Sequence, residues 1–359
     1  MNYSVALAHF PKITYSRYRQ LVNGFGDLSR VWQAEWGDLV KIGWEENIAH
    51  EWLVWKKDNP LALIFSALEE EEIRGISIDD PHYPALLAQI NDPPFVLFMR
   101  GHLPPTPGHS LAVVGTRRCT AYGRTMCEKI VTGVVKQGIT IVSGLALGID
   151  GAAHAATLKN NGITLAVLGS GIDRQNVYPA AHKFLGESII QNGGALLSEY
   201  PPGFLPTKYS FPARNRIIAG LSHGTLVVEA PVASGALITA RCALDYNRDV
   251  LAIPHPATSI LGEGCNKLLK MGAKLVTDYE DVLEAFNLQA VAFASTPIVV
   301  ELDPAEKSIF TTITEEPKHI DQIIRETGLA SGIINGKLAV LELRGLVKNL
   351  GNMTFFRNR

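Results

Sequence analysis

The chain has 359 residues, 47% of them hydrophobic and 19% charged, with a formal net charge of −2. That composition suggests two or three domains and excludes intrinsic disorder. No apolar run reaches the ~18 residues of a membrane-spanning helix, and MNYSVALAHFPK lacks a basic lead into an apolar block, so neither membrane insertion nor a secretory leader is expected.

The four cysteines (Cys119, Cys127, Cys242, Cys265) show no CxxC spacing, which argues against a disulfide framework or a zinc site and suits a cytoplasmic protein. Charge is unevenly spread. Residues 1–104 hold 9 basic against 14 acidic side chains, residues 105–290 hold 16 against 13, and residues 301–359 hold 8 against 8. A polyanion site must therefore come from local clustering.

Residues 1–75 read as a helical domain. Trp32 with Trp36, and Trp52 with Trp55, have the i,i+4 and i,i+3 spacing of one buried helical face. Glycine-separated short helices over 24–43 resemble a helical hairpin, but the acidic setting disfavours phosphate binding there. Residues 79–107 read as a join containing one strand, 95–99. From 110 to 285, apolar runs at 111–114, 140–142, 164–168, 195–197, 225–228, 250–253 and 274–276 alternate with helical stretches such as 122–137, 152–160 and 236–246. Continuous apolar strands interleaved with helices specify a doubly wound, Rossmann-like α/β sheet. The core is thus assigned to 76–290, the uncharged run 285–300 to a linker, and 301–359 to three helices and a β-pair, a winged-helix outline whose first helix opens on an Asp303/Glu306 capping pattern.

Ligands of such sheets bind beyond the strand carboxyl ends. After the first core strand, Gly115, Arg117 and Arg118 form either an anion site or a tight turn with solvated arginines. In the next loop, Asp150 and His154 share a helical face as an acid/base pair would, although capping by Asp150 and local packing of His154 is the favoured reading. Gly169-Ser170-Gly171 does not match a nucleophile elbow. The block KYSFPARNRIIAG, 208–220, clusters Lys208, Arg214 and Arg216 around Tyr209 and Phe211. Cations interleaved with aromatics suit single-stranded nucleic acid: the cations hold phosphates and a ring stacks a base. Ser234 and Gly235 at a helix start form a phosphate seat, a simple N-cap, or both. Nothing matches a metal-ligand spacing, a nucleophilic triad or a cofactor fingerprint.

Across 112–240 the blocks AVVGTRRCTAYG, IVSGLALGIDGAAHAATL, LAVLGSGIDRQNVYP, LLSEYPPG, FPARNRIIAGLS and LVVEAPVASGALITA follow one another, and GCNKLLKMGAKLV continues them. Together they closely resemble the DNA-processing protein DprA (Smf) family. The N-terminal part resembles its sterile-alpha-motif-like (SAM-like) domain and the C-terminal part its optional winged helix. The resemblance implies a Rossmann-like core that binds single-stranded DNA during natural transformation, forms a homodimer through that core, and helps load the RecA recombinase. It puts Arg117 at the phosphate-binding arginine, Lys208 and Phe211 at the family's lysine and base-stacking phenylalanine, and Arg214, Asn215 and Arg216 in its RNR block. Three departures stand out. Thr116 replaces serine, Pro254-His255 replaces the usual Pro-Gly before an unusual ILGE loop, and the winged helix offers only Lys337 and Arg344 on its third helix.

The leading expectation is a non-catalytic strand-binding mediator whose contacts are Arg117, Lys208, Phe211, Arg214, Asn215 and Arg216 with Gly115, Ser143, Gly144, Ser234 and Gly235. The alternative is a phosphoribohydrolase-like enzyme, since Gly224-Thr225 with Glu229 is faintly similar to the PGGxGTxxE pattern of nucleotide-cleaving enzymes. A third reading is a protein-binding scaffold that senses a nucleotide.

Overall fold

The computed structural model describes residues 2–104, 108–289, 302–314, 317–344, 346–351 and 353–357. Two compact units result, Met1–Val291 and Ala292–Arg359.

The first unit is built on nine strands: β1 (Arg74–Ser77), β2 (Val96–Gly101), β3 (Ser110–Val114), β4 (Thr140–Ser143), β5 (Thr164–Val167), β6 (Ala195–Ser198), β7 (Gly224–Val227), β8 (Asp249–Ala252) and β9 (Lys274–Leu275). They lie in the order β1-β2-β6-β5-β4-β3-β7-β8-β9. Strands β3 to β9 are mutually parallel, and β2 runs antiparallel to both β1 and β6. The chain first winds from β3 towards β6, then returns to place β7 on the other side of β3. That reversal opens a crevice at the carboxyl ends of β3, β4 and β7, where such sheets take their ligands.

Every residue of β3, β4, β5, β6 and β7 is buried, as strands covered by helices on both faces must be. The helices Ala121–Lys136, Ile149–Lys159 and Lys183–Gln191 cover one face, and Ser210–Gly220, Ala236–Asp245 and Glu263–Lys270 the other.

The strand β1 escapes sequence reading. Its exposed Arg74 and half-buried Gly75 interrupt the apolar pattern, and it gains its place by pairing, with Arg74 opposite Met99 and Ser77 opposite Val96. It also straddles the expected 75/76 boundary. One hydrophobic cluster runs from Val5 and Trp52 through Phe98 to Ala166 and Leu196, so the N-terminal helices share a core with the sheet. Tyr18 stacks on Phe95 at 4.4 Å and donates to Asp79 at 2.9 Å across the same junction. The tryptophan expectation holds in part. Trp52 and Trp55 stack at 5.4 Å, but Trp32 ends a 3-10 turn while Trp36 opens the next helix, so these two share no helical face.

Buried His154 illustrates how the polar core is settled. Thr164 Oγ1 donates to the Ile141 carbonyl at 3.0 Å and accepts from His154 Nδ1 at 2.7 Å, which fixes the ring proton on Nδ1. Burial holds the pKa down to about 3.

The second unit packs helices Pro304–Thr312, Ile320–Thr327 and Ser331–Leu343 with strands β10 (Lys318–His319), β11 (Val347–Asn349) and β12 (Thr354–Arg357), ordered β10-β12-β11. Asp303 and Glu306 form the expected capping box. The short β10, absent from the sequence reading, completes the winged-helix sheet. The expected linker 285–300 starts too early: Ala285 closes the helix Tyr279–Ala285 and is buried, and Phe286 and Leu288 pack against the core, while residues 290–300 lie outside the described residues.

Replacing Trp52 by alanine should cost about 3–5 kcal/mol, as large-to-small changes in packed cores do, and should lower the urea midpoint of the first unit as a whole. The His154 ring is neutral when folded but protonates near 6.5 once unfolded, so the unfolded chain binds more protons between these values. Stability should therefore be full above pH 6.5 and decline as pH falls towards about 3. Thermal unfolding across that range should show a shallower decline for His154→Gln.

Candidate nucleic-acid interface

The site begins with the turn that precedes the helix Ser210–Gly220. Thr207 N donates to Ser210 Oγ at 2.9 Å, Ser210 N donates to Thr207 Oγ1 at 3.0 Å, and Ser210 Oγ donates to the Thr207 carbonyl at 3.0 Å. This reciprocal arrangement fixes where the helix starts, and hence where its first-turn side chains point. Phe211 is half-buried there, with its ring 5.5 Å from that of Tyr178. Exposed Arg117, arriving from the loop after β3, places its guanidinium carbon 5.3 Å from the Phe211 centroid. The exposed Lys208 ammonium lies 5.0 Å from the ring of Tyr209, itself 73% exposed. These residues form a rim of cations and ring faces open to solvent, in which guanidinium and aromatic reinforce one another.

One turn along the same helix, the chemistry inverts. Arg214 is buried, and its Nη1 donates to the Gly144 carbonyl at 2.6 Å and to the Val167 carbonyl. Burial pushes its pKa down to about 10 against the attraction of Asp150. The Asp150 carboxylate, also buried, accepts from Gly144 N at 3.1 Å and Ala146 N at 3.4 Å, and burial raises its pKa. Arginine and aspartate thus grip the loop after β4 through its carbonyl and its amides. Gly144 is required there, because a Cβ would fall 2.1 Å from Arg214 Nη1. Arg214 is therefore a positioning residue and has no guanidinium face to offer a strand. Asp150 and His154 likewise form no acid/base pair. His154 follows the packing reading, but Asp150 does not cap its helix, whose N-cap is Gly148 without a side-chain bond; its carboxylate is drawn to the amides of the preceding loop instead.

The other expected contacts divide similarly. Arg216 pairs with Glu199 and, at 3.2 Å, with Asp92. Asn215 Nδ2 donates to the Gly235 carbonyl at 3.1 Å and joins its helix to the next loop. Ser143 is fully buried and donates to the Val113 carbonyl at 2.6 Å. Gly115 lets its loop pass close to Ile149 and the Glu229 carbonyl. Ser234 Oγ accepts from Ala236 N at 3.3 Å from one residue before the helix, whose N-cap is Gly235, so the simple N-cap expected of Ser234 is not formed; Gly235 is exposed with open space where a Cβ would be. The structure thus gathers Arg117, Lys208 and Phe211 at the surface and uses Arg214, Arg216, Asn215, Ser143 and Gly144 as frame. Sequence reading omitted Tyr178, although an aromatic in the loop after a core strand was an available signal.

Glu229 is fully buried and accepts from Thr120 N at 2.7 Å and Thr120 Oγ1 at 2.8 Å. It anchors the start of the helix Ala121–Lys136, and a Cβ at Gly123 would fall 2.5 Å from Glu229 Oε2. In the winged helix, Lys337 pairs with Asp303 and with Glu306 (3.2 Å), and Arg344 pairs with Glu306 at 3.2 Å. Both cations of the third helix are thus bound to carboxylates of the first. No helix among the described residues is long and apolar enough to cross a membrane.

Residues 74–287 match the family of DNA recombination-mediator protein A, and residues 294–353 match the DprA winged helix domain. A protein Smf from Synechocystis is 36% identical over 94% of both chains. The DNA processing protein DprA of Streptococcus pneumoniae is 47% identical over 61% of this chain and 76% of its own. Its X-ray structure superposes with a TM-score of 0.67 at 39% identity, covering 79% of this chain and 97% of that one. A structure of DNA processing protein A from Helicobacter pylori, described for its single-stranded DNA binding mode, gives 0.53 at 28% identity over 60% and 96% of the two chains. On the strength of both domain matches and the near full-length relative, the chain belongs to the DprA (Smf) family of DNA-processing proteins.

Proposed function

We propose that this chain is a non-catalytic mediator that binds single-stranded DNA along the rim formed by Arg117, Lys208 and Phe211. One observation carries the reading. At the carboxyl edge of the sheet, an exposed guanidinium lies over a half-buried phenylalanine, with a second exposed cation three residues away in sequence. Phosphates supply the charge that such cations attract, and bases supply the planes that such rings stack. The Helicobacter pylori relative, named for its single-stranded DNA binding mode, supports the same assignment. Following the family resemblance, the bound strand is protected and passed to the RecA recombinase during natural transformation, in the cytoplasm, by a homodimer joined through the Rossmann-like core.

The phosphoribohydrolase alternative loses its main residue, because the Glu229 carboxylate has no exposed surface and serves Thr120. Duplex recognition by the winged helix is disfavoured on charge, since Lys337 and Arg344 are already paired. That unit suits a protein contact better.

Stacking and charge should separate in binding assays. Phe211→Ala should weaken a fluorescent single strand by about 1–3 kcal/mol with an unchanged salt slope. Arg117→Ala or Lys208→Ala should each flatten the slope of log K against log salt by about 0.7, the value of one single-strand phosphate. Equal affinity of all three variants and the parent at fixed salt would remove the site. Arg214→Ala should behave differently. It leaves Asp150 buried without its countercharge and should cost about 3–5 kcal/mol of stability, read as a lowered melting temperature.

A further inference from the structure

The loop after β3 has two sides. Arg117 leaves it towards Phe211, while Thr120 closes it against Glu229. Beyond Thr120 lies a second cleft of about 520 Å³, outside the carboxyl ends of β7 and β8, walled by Thr120, Tyr122, Pro254, His255, Pro256 and Ser259 with Glu229 behind them. None of the strand contacts discussed above lines it.

Its walls are flat and fixed. Tyr122, 43% exposed, donates its hydroxyl proton to the Pro254 carbonyl at 2.8 Å. The His255 ring stands edge-on to it, with centroids 5.1 Å apart and planes at 77°. His255 Nε2 lies 2.8 Å from the Val228 carbonyl, and its backbone exchanges two hydrogen bonds with the Asn266 side chain. A ring held this way loses little freedom when a ligand stacks on it.

Gly262 makes room for the His255 side chain. A Cβ on Gly262 would fall 2.1 Å from His255 Cβ. Exposed Arg118 and Arg124 flank Tyr122 in sequence, and neither has an ion-pair partner among the described residues.

We infer that the Tyr122–His255 cleft is a second base seat, which takes an unpaired nucleobase of the same strand with its phosphate held by Arg118 or Arg124. The inference rests on the strand-binding reading and extends the strand's path across the β3 loop. Continuity through that loop and the two exposed cations that flank Tyr122 in sequence favour a nucleobase over an aromatic side chain of a partner protein.

The test is photocrosslinking of the full chain to a single strand of about 20 nucleotides carrying 5-iododeoxyuridine, long enough to cover both seats, with crosslinked peptides mapped by mass spectrometry. Crosslinks are expected at Phe211 and also at Tyr122 or His255. Tyr122→Ala should lower affinity for that strand about tenfold, whereas Tyr122→Phe, which keeps the ring, should not, and His255→Gly should lose the second crosslink but keep the first. Crosslinks confined to the Phe211 rim, with parental affinity for Tyr122→Ala, would overturn the second seat and leave the first standing, and the cleft would then pass to a protein partner. Absence of strand binding altogether would remove both.

Discussion

The burial of one arginine organises this site. Arg214 sits three residues beyond Phe211 on the same helix, and its guanidinium reaches the ends of two neighbouring strands through the carbonyls of Gly144 and Val167. A buried cation is tolerated only when its donors are satisfied and a countercharge is near, and here the opposing carboxylate of Asp150 holds the same loop by its amides. The helix is thereby locked in rotation about its axis. With Arg214 tied to the strand ends and Ser210 tied to Thr207, the first turn is fixed in place and holds Phe211 at the rim, where Arg117 meets it.

Electrostatics divide the cations by the same logic. The N-terminal part and the core exchange charge at their junction, where Arg174 bridges Glu71 and Glu72, and within the core Arg216 gathers Asp92 and Glu199. The winged helix pairs its own. A chain of nearly neutral net charge can still present a cationic surface when acidic residues are spent on other partners and a few cations at one sheet edge are left exposed.

How much of this was readable from the residues follows from the physics of each feature. The parallel strands announce themselves because burial on both faces leaves no alternation, and every core strand expected is present within a residue or two of its limits. Strand β1 does not, since its order comes from pairing with β2 and not from its own pattern. Sequence could gather Lys208, Phe211, Arg214 and Arg216 into one block, but it could not sort them. Helical geometry turns neighbours three apart to nearly the same face, and whether a cation faces water or carbonyls depends on Gly144, some seventy residues away. The tryptophan pair at 32 and 36 failed for a related reason: i,i+4 spacing means a shared face only if one helix spans both residues, and here one helix ends at Trp32 and the next begins at Trp36.

Gly148, at φ +79°, brings the loop after β4 so close to the loop after β3 that a Cβ there would stand 2.2 Å from the Thr116 carbonyl oxygen. Backbone lies on backbone with no side chain between, and no rotamer could relieve a substitution. The rim above is its opposite, built of Lys208, Tyr209 and Tyr178 whose exposed ends touch little else. The crevice therefore combines an inflexible floor with a permissive edge. Over generations, single changes can retune the edge, while the floor admits almost none, and descendants with different rims should still share the same glycines.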